Sequence, residues 1–193
     1  MTARKSWNEY LWILAVLYFF LGFFNILFAW LGMGCFLTPL LLSLSKKGKV
    51  YCNKFCGRGQ LFTLLGDKYK LSAYRETPSF LRSHWFRYGF LAFFMLTFVN
   101  MLYLTYLVFS SAYSVEESLT LLWVFSLPWN WAIRTDVSPW ITQFSVGLYG
   151  IMMTSLLLGI TSMLLFKPRS WCAYCPVGTM TQIIAKLMYR GKH

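Results

Sequence analysis

The chain has 193 residues, of which 58% are hydrophobic, 20% aromatic and only 12% charged, with a formal net charge of +12. Soluble globular chains carry roughly twice that charged fraction, and runs of about 20 apolar residues recur here, so the composition excludes a water-soluble domain and points to an all-α integral membrane protein. The positive charge is clustered, ten of the eighteen Lys and Arg lying between Lys46 and Arg87 and five between Lys167 and Lys192. That pattern is the positive-inside bias of a membrane protein rather than a nucleic-acid footprint, and no nucleic-acid partner is expected.

One membrane domain over residues 1–193 is expected. In Met1–Tyr10, Trp7 and Tyr10 read as interfacial anchors. A full span is expected over about 11–31, with Asn25 as its only strongly polar member; an intramembrane Asn most simply bonds a neighbouring helix. This first apolar run is too long for the core of a secretory leader and lacks a small-x-small exit, so no cleavable signal peptide is expected. Apolar sequence continues over about 32–45, where Gly32, Gly34 and Pro39 mark a break and a half-helix, a re-entrant segment or a fourth short helix is expected. Which side holds the N-terminus depends on whether that segment returns.

A basic loop over 46–88 follows, in which Gln60–Gly66 reads as a short helix on the membrane surface. Further full spans are expected over 89–109 and 141–166. Between them lies an outer loop, 111–140, with only Arg134 against Glu116, Glu117 and Asp136. Its apolar run from Leu119 to Leu127, with Trp129, Trp131 and Trp140, reads as a partly inserted aromatic belt. After the last span come a second basic loop over 167–193 and an amphipathic tail from Thr179 to Tyr189.

Two short cysteine motifs follow apolar segments. The first is Tyr51-Cys52-Asn53-Lys54-Phe55-Cys56-Gly57-Arg58-Gly59 and the second Trp171-Cys172-Ala173-Tyr174-Cys175-Pro176-Val177-Gly178. Two crossings separate them, so both face one side. The chain reads as a parallel repeat of helix, basic turn and cysteine pair. The charge bias places that side in the cytoplasm, where structural disulfides are disfavoured and metal or redox chemistry is the better reading.

Cys52, Cys56, Cys172 and Cys175 supply four thiolates, which suit a 4Fe-4S cluster or a structural zinc. Proline after Cys175 recurs in bacterial cluster-binding runs. Glycines and basic residues beside each pair let N–H groups and positive charge stabilise thiolates and tune a reduction potential. Cys35 stands apart in the glycine-rich break, at a depth different from the motifs, and reads as a small hydrophobe. His84 and His193 lie outside the spans and speak against a bis-histidine haem, and the absence of acidic residues from the spans speaks against a proton relay.

The stretch Leu165–Thr179, with a basic residue after a span and then Cys-x2-Cys-Pro-x-Gly, resembles the membrane-bound 4Fe-4S binding proteins of the NapH and NosR type. Their signature carries three residues between the cysteines. The first motif keeps that spacing at Cys52 and Cys56 but has Gly57 in place of proline. The resemblance implies a multi-pass protein of the bacterial cytoplasmic membrane that holds one 4Fe-4S cluster and relays electrons to or from a flavoprotein or quinone-linked partner, as an electron-transfer component rather than a stand-alone enzyme. The alternatives are a zinc-clasped membrane scaffold and a thiol/disulfide oxidoreductase cycling Cys172 and Cys175.

Overall fold

The computed structural model describes residues 10–44, 55–112, 114–115, 118–121, 125–128, 130–132 and 137–190. Trp7, the lysines at 46, 47, 49 and 54, Cys52, Glu116, Glu117, Trp129, Arg134 and Asp136 lie outside the described residues. The helices are α1 (Leu11–Phe24), α2 (Leu31–Leu44), α3 (Gly57–Thr63), α4 (Ser79–Arg82), α5 (His84–Phe109), α6 (Pro139–Leu165) and α7 (Pro176–Arg190). A two-stranded antiparallel hairpin, β1 (Ser118–Leu121) with β2 (Phe125–Pro128), lies between α5 and α6.

Among the described residues, three helical stretches are long and apolar enough to cross a membrane: Ile26–Leu44 with 19 residues, α5 with 26 and α6 with 27. The number of spans is as expected, but the first is not where the glycines and proline suggested. α1 has 14 residues and so rises only about 21 Å, short of the roughly 30 Å hydrocarbon core. The break falls at Asn25, whose backbone is extended and whose Oδ1 accepts the Leu27 N–H at 3.1 Å, capping a 3₁₀ turn over Ile26–Trp30. Asn25 therefore caps its own chain rather than bonding a neighbouring helix. Gly32, Gly34 and Pro39 all lie inside the continuous helix that follows.

The chain reverses at Asn25. Tyr18 donates its hydroxyl to the Ala29 carbonyl at 3.4 Å, and a Cβ on Gly32 would lie 2.6 Å from the same hydroxyl. A Cβ on Gly57 would stand 2.6 Å from the Leu11 carbonyl, so the start of α3 lies against the start of α1.

The chain divides into two compact units whose boundaries fall within α1, α2, α5 and α6. One comprises Leu17–Gly34 and Ala92–Leu157 and holds no cysteine. Its centre is Tyr149, fully buried among Ile26, Ala29, Leu119, Leu121 and Val146. A Cβ on Gly22 would come within 2.3 Å of the Tyr149 ring, and the hydroxyl donates to the Phe19 carbonyl at 2.9 Å. Tyr149→Phe keeps the ring and removes one interhelical hydrogen bond, so a loss of about 0.6 kcal/mol is expected in detergent unfolding.

α6 is buried over most of its length. On α5 only Phe94, Met101 and Val108 are buried, seven residues apart, a narrow seam that leaves the other faces partly or fully exposed. In the outer segment, expected as an aromatic belt, the alternation of buried Leu119, exposed Thr120 and buried Leu121 is that of a strand with one face on the core.

The other unit comprises Met1–Val16, Cys35–Leu91 and Leu158–His193, and the described cysteines, Cys35, Cys56, Cys172 and Cys175, belong to it. Its packing centre is Phe62 of α3, fully buried, with the ring so close to α6 that a Cβ on Gly159 would lie 2.3 Å from Cζ. Phe62→Ala empties this notch and is expected to cost about 3–5 kcal/mol, read as a lower thermal midpoint.

Candidate metal centre

The cysteine motifs are helix starts. Cys56 is the N-cap of α3, with φ −74° and ψ 103°, and its carbonyl accepts the Gln60 N–H at 3.0 Å. Cys175 holds the same place before α7, where its carbonyl accepts the Thr179 N–H at 2.9 Å and the Thr179 hydroxyl at 3.0 Å. Pro176 is then the first helical residue, a position suited to a ring that fixes φ and needs no N–H partner. Gly57 takes that position in α3. The Leu11 carbonyl and the Ala15 Cβ, 2.6 and 3.4 Å from a Cβ there, leave no room for a proline ring. The departure of the first motif from Cys-Pro thus has a local steric cause.

Charge and hydrogen bonds converge on the Cys175 sulfur. Burial pushes the Cys175 thiol above its ordinary range, the Arg58 guanidinium and the N–H groups of Gly178 and Val177 pull it down, and the nearby Cys56 thiol pushes it up again. N–H groups at a helix start and a guanidinium favour the thiolate, and a thiolate is the form that binds metal. Arg58 and Cys56 also act electrostatically on Cys35 of α2. Cys35 is thus within electrostatic reach of the first motif.

The two motifs are tied to each other directly. Arg169, just before the second pair, donates Nε–H to the Thr63 hydroxyl of α3 at 2.9 Å, and that hydroxyl donates to the Gly59 carbonyl at 2.9 Å. Farther along, Ser72 donates its hydroxyl to the Phe166 carbonyl, the Ala73 N–H reaches the Leu164 carbonyl at 3.0 Å, and Thr77 and Ser170 share a hydroxyl contact at 3.0 Å. Lys167 pairs with Glu76 at 3.1 Å and holds the Glu76 carboxyl below its usual range.

Cys172 lies in a 3₁₀ turn, Ser170–Ala173, between Trp171 and Tyr174, which are 3% and 8% exposed. Their rings meet edge to face at 5.0 Å, and both pack on Phe90 of α5 at 5.9 and 5.8 Å. Burial pushes the Tyr174 hydroxyl up, Ser162 pulls it down and Cys175 adds to the rise. Arg87 of α5 donates to the Gln182 Oε1 of α7 at 2.8 Å and fixes the helix that carries Cys175.

Of the four expected ligands, Cys56, Cys172 and Cys175 are half-buried and outside any disulfide, in one compact unit. Cys52 lies outside the described residues. Among the described residues no group of three or more His, Cys, Asp and Glu side chains is assembled to hold a metal ion. The donor chemistry fits an anionic iron-sulfur core: soft sulfur ligands, two of them at helix starts, with N–H donors and a guanidinium nearby.

The family described as "4Fe-4S binding domain" matches the chain over residues 28–73 and again over 149–192, one stretch around each cysteine motif. The match supports an iron-sulfur binding family and a 4Fe-4S cluster as the cofactor. No curated protein and no solved structure matches the chain.

Proposed function

We propose that this iron-sulfur chain is a membrane-bound electron-transfer protein that holds one 4Fe-4S cluster through Cys52, Cys56, Cys172 and Cys175 on the side of its basic loops. The observation that carries the reading is the pairing of two helix starts, each capped by the second cysteine of a motif, in one compact unit cross-linked by Arg169 and Thr63. A bound cluster supplies one-electron chemistry; the protein supplies ligation, charge and position. Arg58 and the N–H groups of Val177 and Gly178 offset the negative charge of the thiolates. Trp171, Tyr174 and Phe90 keep water from one flank, and low solvent access is one of the levers on a cluster's potential.

The NapH- and NosR-like assignment belongs to the same proposal, on the strength of Cys172-x-x-Cys175-Pro176-x-Gly178 after a basic turn. So does the placement of the motifs at the cytoplasmic face of a bacterial cytoplasmic membrane, on the strength of the Lys and Arg bias. A flavoprotein or a quinone-linked protein is the partner class. Purified without oxygen, the protein is expected to be brown, with about four irons and four sulfides per chain, and to give a paramagnetic signal on one-electron reduction. A colourless protein holding a single zinc sinks the proposal in favour of the scaffold reading.

A further inference from the structure

The aromatic residues around the second motif do more than fill space, because they run without interruption to the surface. Tyr174, next to Cys175, packs on Phe86 at 5.6 Å between ring centroids, and Phe86 packs on Phe80 at 5.0 Å. Phe80 is 67% exposed. It lies on α4, a single turn outside the spans, with exposed Arg82 three residues away in sequence from Ser79 and exposed Arg75 just upstream.

The charge around this outlet is one-sided. In the segment from 67 to 82 stand exposed Lys68, Lys70, Arg75 and Arg82, against Asp67 and Glu76 alone. Asp67 accepts the Tyr74 hydroxyl at 2.9 Å and Glu76 is paired with Lys167, so both acids are already engaged. An exposed aromatic ring with arginines around it has the make-up of a protein interface, with an apolar centre inside a charged rim. Redox encounters are small and weak, and opposite charge brings such partners together quickly.

We propose that the face formed by Phe80, Arg75 and Arg82 docks a soluble, acidic one-electron carrier protein, which exchanges electrons with the cluster along Phe80, Phe86 and Tyr174. The proposal rests on the iron-sulfur reading above. Electron transfer slows steeply with distance through space, and a packed row of rings keeps the cofactor-to-surface path short and free of gaps. In the exchange the carrier loses one electron, the cluster gains it, and no bond or proton need move. A lipid headgroup would meet the arginines equally well, but it has no use for an aromatic path that ends beneath it.

The test uses the full-length, cluster-loaded protein in detergent and an acidic flavodoxin as probe, whose hydroquinone gives up one electron to become the semiquinone. Stopped-flow rates are expected to fall about tenfold for Arg82→Glu and for Phe80→Ala, and to fall for the wild type as salt is raised. A small neutral reductant should reduce all three proteins equally. Arg82 is exposed, so its variant reads docking even if Phe80→Ala folds poorly. Unchanged rates in Arg82→Glu, or a wild-type rate indifferent to salt, overturn the proposal. An Arg82→Glu variant that keeps the wild-type rate but binds anionic vesicles more weakly assigns the face to lipid instead. A wild-type chain that takes up no iron overturns the iron-sulfur reading itself, and this proposal with it.

Discussion

Cys175→Ser empties the cluster site while leaving the fold in place. Serine is among the best N-cap residues, so its hydroxyl can take the N–H groups of Val177 and Gly178 that the sulfur accepts now, and α7 should keep its start. What is lost is a soft thiolate donor, for which an alcohol is a poor substitute with iron and sulfide. Bound iron is expected to fall from about four per chain to less than one, with unchanged helical circular dichroism. Cys56→Ser should behave in the same way, because Cys56 is likewise an N-cap. Cys35→Ser is the informative control: that thiol lies within electrostatic reach of Cys56 and Arg58, yet it is not one of the four proposed ligands, and full iron content is expected. A Cys175→Ser protein that retains its iron would remove Cys175 from the ligand set.

Gly57→Ala is expected to be the most damaging single methyl in the cysteine-bearing unit. The new Cβ would stand 2.6 Å from the backbone carbonyl of Leu11 and 3.4 Å from the Ala15 Cβ. A backbone atom cannot swing aside as the end of a side chain can, so α3 must shift relative to α1, carrying Cys56 with it. Overpacking of this kind costs about 1–3 kcal/mol, and the expected readout is a lower thermal midpoint together with faster loss of iron to a chelator. Gly34→Ala is the matched control, because nothing lies within 4 Å of its would-be Cβ and alanine favours a helix over glycine by up to about 1 kcal/mol. Equal behaviour of the two variants would dispose of the idea that crowding at Leu11 sets the position of Cys56.

The hydropathy of the chain foretells the helix α6 to within two residues and the end of α5, though α5 begins five residues before the expected 89, because two uninterrupted apolar runs of bilayer length leave little choice of structure. It misplaces the first span for an equally physical reason. Glycine and proline are read as breakers, yet inside a long apolar helix Gly32, Gly34 and Pro39 are all accommodated, while the actual reversal is made by Asn25, whose side chain competes for a backbone N–H as short polar side chains do. The hairpin at Ser118–Pro128 escapes notice because its apolar run carries no Asn-Gly or Asp-Gly turn. The cysteines stand out at once as candidate metal ligands. Their role as helix caps does not, since cysteine is not among the residues by which a helix start is recognised. The nearness of Cys35 to the first motif, and the bond from Arg169 to Thr63, depend on the folding-back of α2 and on contacts made across 106 residues, which no local pattern encodes.

That last separation fixes an order of events during synthesis. Phe62 needs the notch at Gly159, Thr63 needs Arg169, and Ser72 and Ala73 need the carbonyls of Phe166 and Leu164. When the first cysteine pair leaves the ribosome, roughly a hundred residues of its scaffold have yet to be translated. A nascent chain arrested before α6 therefore presents Cys56 with only α1 behind it, and under the proposed function cofactor insertion has to wait until the final third of the protein has emerged.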